Sequence, residues 1–283
     1  MTLLLGVNAF PAPGEGGARQ ARALESWRAL RGVRLANLQW PDEVFEVDGF
    51  ATHPVLAHDS RTASGRPGPR KPLVSEMFAH LAAIAEREGC AWFGFANGDI
   101  QWTQAAADFA AERGLEAAAF SRMDVEPETG ADLEMVTAGI DAFVLSVDWW
   151  RANQQRFRGY VGGEPVWDNV YVAIVLRHAR AYLVNRAPLI RHERHPAGDW
   201  RKSPFARYVA HLAALDRLDF TRWAVYHYEL LEMRAHGIDP DAEDRLQHDV
   251  FRAPEALSAR LLQSARAAKA RAAYLVRRRG GGA

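Results

Sequence analysis

Asp99 is the residue whose setting in the sequence points most directly to chemistry. It follows the run Ala91-Trp92-Phe93-Gly94-Phe95-Ala96, a continuous apolar stretch with aromatics that reads as a central strand buried on both faces, and it closes the turn Asn97-Gly98-Asp99. In open α/β sheets ligands bind beyond the carboxyl ends of the strands, and core packing gives no reason for an acid at that rim. Gly98 lets the backbone approach a ligand closely or take positive φ. A carboxylate so placed can hold a divalent cation, Mn2+ or Mg2+, that shares its ligands with a substrate diphosphate. The competing reading is an ordinary turn, because Asn-Gly-Asp is common turn composition. The aromatic strand leading in and Ile100-Gln101-Trp102 leading out favour a site.

Three further groups carry chemically capable residue types. Asp168 opens a helical pattern that runs to about His178, where an aspartate is favoured simply as an N-cap and has a depressed pKa. His192 and His195 stand three residues apart with Pro196 following, and on spacing alone they read as solvent-facing. Trp102, Trp149, Trp150 and Trp167 are suited either to stacking on sugar rings or to the core, and the sequence leaves both open.

These residues need a scaffold, and the hydrophobic pattern supplies one. Leu3 to Val7, Val33 to Gln39, Pro54 to Ala57, Ala91 to Ala96, Leu115 to Phe120, Ala142 to Ser146, Tyr182 to Val184 and Leu189 to Ile190 read as strands, the last two as edge strands around Pro188. Helical spacing appears over Arg19 to Leu30 and Pro72 to about Glu88, and again after Thr103, which can cap its helix. Asp148 can cap a short helix through Trp149 and Trp150. The acidic stretch Asp124 to Thr137 reads as a loop or hairpin. The opening β-α-β pattern predicts parallel strands with a right-handed crossover. From Pro204 onward the pattern is helical, room for three helices ending in Arg277-Arg278-Arg279. We expect one domain over residues 1–202 and a helical extension over 203–283.

Composition narrows the functional classes. The chain has 283 residues, 48% hydrophobic and 25% charged, enough for a full core. Lys plus Arg and Asp plus Glu both count 35, which argues against a dedicated nucleic-acid binder. The single cysteine, Cys90, excludes an internal disulfide or a thiolate metal cluster. The short apolar run at the N-terminus does not read as a secretory signal and no stretch is long enough to cross a bilayer, so a cytoplasmic location is expected.

The run Trp92 to Ile100 resembles the strand and Asp-x-Asp element of GT-A glycosyltransferases, with Asn97 in place of the first Asp and Asp99 as the remaining charged ligand. Glu164-Pro165-Val166-Trp167-Asp168-Asn169 is similar to the segment where members of that fold place a carboxylate facing the acceptor. Arg191-His192-Glu193-Arg194-His195 is similar to the place where many carry a metal-binding histidine. The resemblance covers roughly residues 1–200. It implies an α/β, GT-A-like Rossmann-type mixed, mostly parallel sheet flanked by helices. It further implies sugar transfer from a UDP or GDP type nucleotide diphosphate sugar to a hydroxyl acceptor. Asp99, His192 and His195 would hold Mn2+ or Mg2+, with His192 the first choice of the two histidines. Asp168 would be the general base of an inverting reaction. Asn97 would bond the ribose or a metal-bound water. Arg61, Arg70 and Lys71 would meet the phosphates or the base, Asn8 and Ala9 would line the nucleotide pocket, and Asn37 and Gln39 would read the base.

Three other readings compete. A nucleotidyltransferase would use a Gly-rich, Lys- and Arg-containing loop after the first strand, and here Phe10 to Arg19 has Gly14, Gly16, Gly17 and Arg19 but no lysine. A non-catalytic binding protein would account for Asn97 in place of an acid. A metal-dependent hydrolase on Asp99, His192 and His195 would need further ligands.

Overall fold

The computed structural model describes residues 2–196, 199–237 and 239–252. Its opening unit is β1 (Leu3–Val7), α1 (Gly14–Arg28) and β2 (Val33–Gln39), with the two strands parallel and Leu5 beside Leu35. β3 (Ala51–Pro54) extends this edge, and α2 (Ser60–Ser64) and α3 (Val74–Arg87) lead into β4 (Trp92–Ala96), parallel to β1. β5 (Ile100–Trp102), α4 (Gln104–Glu112), β6 (Ala117–Val125), β7 (Asp132–Ser146), α5 (Val147–Asn153) and α6 (Trp167–His178) follow. β8 (Ala181–Val184), β9 (Ile190–Glu193) and α7 (Ala206–Leu215) complete this part of the chain.

The strand order is β3-β2-β1-β4-β7-β6-β9-β5, and β8 pairs with β6. The pairs of β1 with β2 and β4, β2 with β3, and β6 with β8 and β9 are parallel; β7 runs antiparallel to β4 and β6, and β5 to β9. This is the mixed, mostly parallel α/β sheet flanked by helices that the sequence implies.

Every residue of β1 is buried, as a central parallel strand covered on both faces requires. One face carries an aromatic layer in which Phe78 of α3 contacts Phe93, Phe95, Phe143, Trp150 and Tyr171 at centroid separations of 5.5–5.9 Å. The other face packs Leu3, Leu5 and Val7 with Leu24, Trp27, Phe50 and Trp102. Two glycines permit the close layers: a Cβ at Gly6 would meet Leu81 Cδ2 at 2.0 Å, and one at Gly94 would meet Leu5 Cδ2 at 2.5 Å. Trp102, Trp149, Trp150 and Trp167 are all buried, so the core reading holds for each.

Several local expectations change. β9 is not an edge strand, because it lies between β6 and β5. The helix after β7 is capped by Ser146, whose Oγ accepts from Trp149 N at 3.4 Å, and not by Asp148. Thr103 caps α4 as expected, accepting from Ala106 N at 3.2 Å. The Gly-rich stretch before Arg19 forms the first turn of α1 rather than a loop, the helix starting at Gly14. The acidic stretch after Asp124 is a hairpin whose arms belong to β6 and β7, Val125 facing Asp132. At its base the ladder shifts from Ser121↔Ile140 to Arg122↔Val136, leaving residues 137–139 outside the register. The first turn of α6 fills that bulge: Asp168 Oδ2 accepts from Ile140 N at 3.4 Å, and Asn169 Nδ2 donates to Ala138 O at 3.2 Å.

Contacts divide the chain into two compact units, Met1–Leu215 and Asp216–Ala283. α7 belongs to the first, where Tyr208 Oη donates to Gly159 O at 2.9 Å. In the second, α8 (Arg217–Ala235) and α9 (Pro240–Arg252) are joined by Arg234, which donates to both carboxylate oxygens of Glu243 at 3.0 and 2.9 Å. Arg222 Nη1 donates to Val250 O at 2.6 Å. The three helices expected after Pro204 are α7, α8 and α9, while Arg277 to Arg279 lie outside the described residues. No helix among the described residues is long and apolar enough to cross a membrane.

Candidate functional site

The turn between β4 and β5 is fixed from several sides. Ile100 N donates back to Asn97 O at 3.1 Å, Trp27 Nε1 donates to Ile100 O at 2.6 Å, and Asn97 Nδ2 donates to Asp141 Oδ1 at 2.9 Å. Asp99 therefore stands on a pinned turn with its side chain 33% exposed, open to a ligand.

Sheet register brings the histidines to it. β9 pairs with β5 on one side, placing His192 beside Ile100, and with β6 on the other, placing His192 beside Asp124. His192 Nε2 lies 3.4 Å from Asp99 Oδ2, and His195 Nε2 lies 3.5 Å from the same oxygen. One ligand atom from each of the three residues falls within 4.8 Å of the others, a spacing that one metal ion can bridge. The other nitrogen of His192, Nδ1, faces Asp124 Oδ1 at 3.2 Å. A carboxylate behind a ligating histidine is the usual device for fixing its tautomer. Burial works to raise the Asp99 pKa, but the hydrogen bond and charge of His192, with the charge of His195, outweigh it and hold the carboxyl below its ordinary value.

A cavity of about 730 Å³ opens beside this cluster. Its walls include Asn8 and Phe10 after β1, Arg19 and Gln20 of α1, Trp40, Arg61 of α2, Arg70, Lys71, Asn97, Gly98 and Asp99, with Gly162 and Gly163. The size suits a ligand with several functional parts. Gln20 shapes the wall by pairing with the backbone of Phe10, donating to its carbonyl at 2.8 Å. The Arg70 guanidinium stacks 4.5 Å from the Trp40 ring and contacts Asp59 at 3.1 Å and Asp42 at 2.8 Å. Lys71 Nζ pairs with buried Glu164 at 2.7 Å, and Arg61 Nε donates to Gly68 O at 2.9 Å.

Ala9, Asn37 and Gln39 are buried and do not line this cavity. Asn37 Oδ1 accepts from Ala9 N at 3.0 Å, and Gln39 Nε2 donates to Ala9 O at 2.7 Å. Asn37 Nδ2 donates to Phe45 O at 2.6 Å. Their amides thus hold the chain in shape where it leaves β1.

Asp168 lies in the first turn of α6, not at its N-cap, a position taken by Val166 with no side-chain cap bond. Dense packing around its carboxyl and the nearby Asp141 charge raise its pKa to about 7, against backbone hydrogen bonds from Asn169, Ile140 and its own amide. Val166 is the only non-glycine described residue with positive φ, at 85°, a costly conformation for a β-branched side chain. Strain of this kind two residues before an acid of near-neutral pKa is typical of functional sites.

Sequence reasoning did not find Gln20, Trp40, Arg122, Asp124 or Asp141. Gln20 carried a signal, since it falls on the α1 face that also buries Ala23, Leu24 and Trp27. The other four become neighbours of the site only through sheet pairing and loop packing.

No family model and no curated protein matches the sequence. Among solved structures, the chain is similar to S. aureus TarS residues 1–349 in complex with UDP-GlcNAc, at 9% sequence identity and a TM-score of 0.49, over 89% of this chain and 74% of that one. It is also similar to a glycosyltransferase involved in glycosylation of the major capsid of PBCV-1, at 11% identity and a TM-score of 0.40, over 70% of this chain and 95% of that one. The likeness is one of general chain course, and it assigns none of the site residues.

Proposed function

We propose that the chain is a metal-dependent glycosyltransferase that moves a sugar from a nucleotide diphosphate sugar of UDP or GDP type to a hydroxyl acceptor. The observation that carries this reading is the convergence of His192 and His195 on Asp99, which itself lines a cavity of about 730 Å³. Two imidazole nitrogens and one carboxylate oxygen are a donor set that suits Mn2+ better than Mg2+, which prefers oxygen alone. A Mn2+ ion bound there supplies positive charge against the departing nucleoside diphosphate.

The chain's own groups do the rest. Arg61, Arg70 and Lys71 border the cavity as phosphate or base contacts. Asn8 lines the nucleotide end, and Asn97, bonded to Asp141, is aimed at the ribose or at a water beside the metal ligands. In an inverting reaction the acceptor oxygen attacks the anomeric carbon, the bond from that carbon to the phosphate oxygen breaks, and Asp168 takes the hydroxyl proton. A carboxyl with a pKa of about 7 is well suited to that proton transfer near neutral pH.

The test is release of nucleoside diphosphate from a panel of UDP and GDP sugars with Mn2+ and hydroxyl acceptors. Release that EDTA and Asp99→Ala both abolish is expected. No release from any donor by folded protein contradicts the proposal, and pyrophosphate release from a nucleoside triphosphate plus a sugar phosphate replaces it with nucleotidyl transfer.

A further inference from the structure

Between the metal-ligand cluster and Asp168 lies a chain of charged groups with no direct part in the chemistry above. Arg122 leaves β6 at the register shift, and its guanidinium spans two buried carboxylates. Nε donates to Asp124 Oδ1 at 2.9 Å, and Nη1 donates to Asp141 Oδ2 at 2.8 Å. Each carboxylate then holds a different residue of the site. Asp124 Oδ1 faces His192 Nδ1 at 3.2 Å, while Asp141 Oδ1 accepts from Asn97 Nδ2 at 2.9 Å. His192 belongs to β9 and Asn97 to the turn after β4, and β7, β6 and β9 succeed β4 in the sheet. Arg122 thus touches the supports of both.

We propose that Arg122 is a positioning residue that fixes the two flanks of the metal corner, His192 through Asp124 and Asn97 through Asp141. The inference rests on the metal-dependent reading of Asp99, His192 and His195. A neutral imidazole has one ring proton. With that proton on Nδ1 donated to Asp124 Oδ1, the Nε2 lone pair is directed to the Asp99 side. Arg122 in turn fixes the Asp124 carboxylate in rotation, because a guanidinium fork offers donors in a rigid plane. Arg194 Nε lies 3.5 Å from Asp124 Oδ2, at the edge of hydrogen-bond range, and does not reach Asp141. Removing Arg122 leaves two carboxylates, 9% and 11% exposed in their side chains, without the donor they share.

The test is Mn2+ affinity of the full chain by calorimetry, with thermal melting of the metal-free protein alongside. Arg122→Gln and Asp124→Asn are each expected to weaken Mn2+ binding by about 10- to 100-fold, the range for supports behind a metal ligand. Arg122→Lys, which keeps the charge but loses the fork, should recover part of the loss. The double variant should lose less Mn2+ affinity than the product of the two single losses, since Arg122 reaches His192 only through Asp124. Unchanged Mn2+ affinity in Arg122→Gln and Asp124→Asn, with only a lower melting temperature, overturns the positioning role and leaves the metal reading intact. Absence of Mn2+ binding by the wild-type chain overturns the metal reading itself, and this inference with it.

Discussion

Asp99 and Asp168 are the same residue type in one unit of one chain, and their surroundings drive them in opposite directions. Asp99 sits on a turn between two strands, faces two imidazoles, and is held below the ordinary carboxylate range. Asp168 sits in the first turn of a helix, packed against a bulge, feels the Asp141 charge, and is raised to about 7. The first environment favours a permanent anion, the form that binds a cation. The second favours a group that exchanges its proton near neutral pH. Pairs of acids pushed apart in this way mark a division of labour between electrostatic and proton-transfer roles.

The largest expected effect comes from erasing the anion. Asp99→Ala should lower kcat/KM by at least about 1000-fold, as removal of a charge-stabilising element does, and should abolish Mn2+ binding. Steady-state kinetics with a metal titration reads both. Asp168→Asn should lower kcat by about 100- to 10,000-fold while Mn2+ affinity stays unchanged. In the wild-type protein kcat/KM should rise with pH through about 7, as Asp168 loses its proton, and the pH profile of the residual Asp168→Asn activity should lose that limb. Equal loss of metal binding in the two variants would erase the contrast between the corners.

Stability should separate them further. A carboxyl whose folded pKa is raised stabilises the fold below its unfolded pKa, near 3.8, and that contribution is lost as pH rises through about 7. Asp168→Asn should therefore be more stable than wild type at pH 8, on the order of 2–4 kcal/mol, and the gain should vanish towards pH 4. Urea denaturation at the two pH values measures this. The smallest effect belongs to Val166. Val166→Gly relieves the positive φ and should stabilise by about 1 kcal/mol while lowering kcat, because the relieved turn no longer fixes Asp168.

Much of this was legible in the sequence. The apolar run before Asn97 announced the central strand, and its abrupt end on Asp99 announced the rim. Local patterns placed β2 and the Thr103 cap at the positions observed. His192 was harder, because its spacing to His195 looks like that of surface residues; only the pairing of β9 with β5 and β6 buries it between Asp99 and Asp124. Arg122, Asp124 and Asp141 were out of reach for the same reason. They lie on or beside the acidic stretch that reads only as a loop or hairpin, and the register shift at Ser121 has no local sequence signature. The Asp168 pKa likewise depends on packing across the β7 bulge, whereas the sequence suggested a helix cap with the opposite shift.

The most direct measurement is a calorimetric titration of UDP and GDP into wild-type protein and Asp99→Asn, each with and without Mn2+. The account predicts that at least one nucleotide binds wild type much more tightly with Mn2+ present, and that Asp99→Asn loses this enhancement. Nucleotide binding that is indifferent to Mn2+ and to the substitution, or no binding of either nucleotide by folded protein, would contradict it.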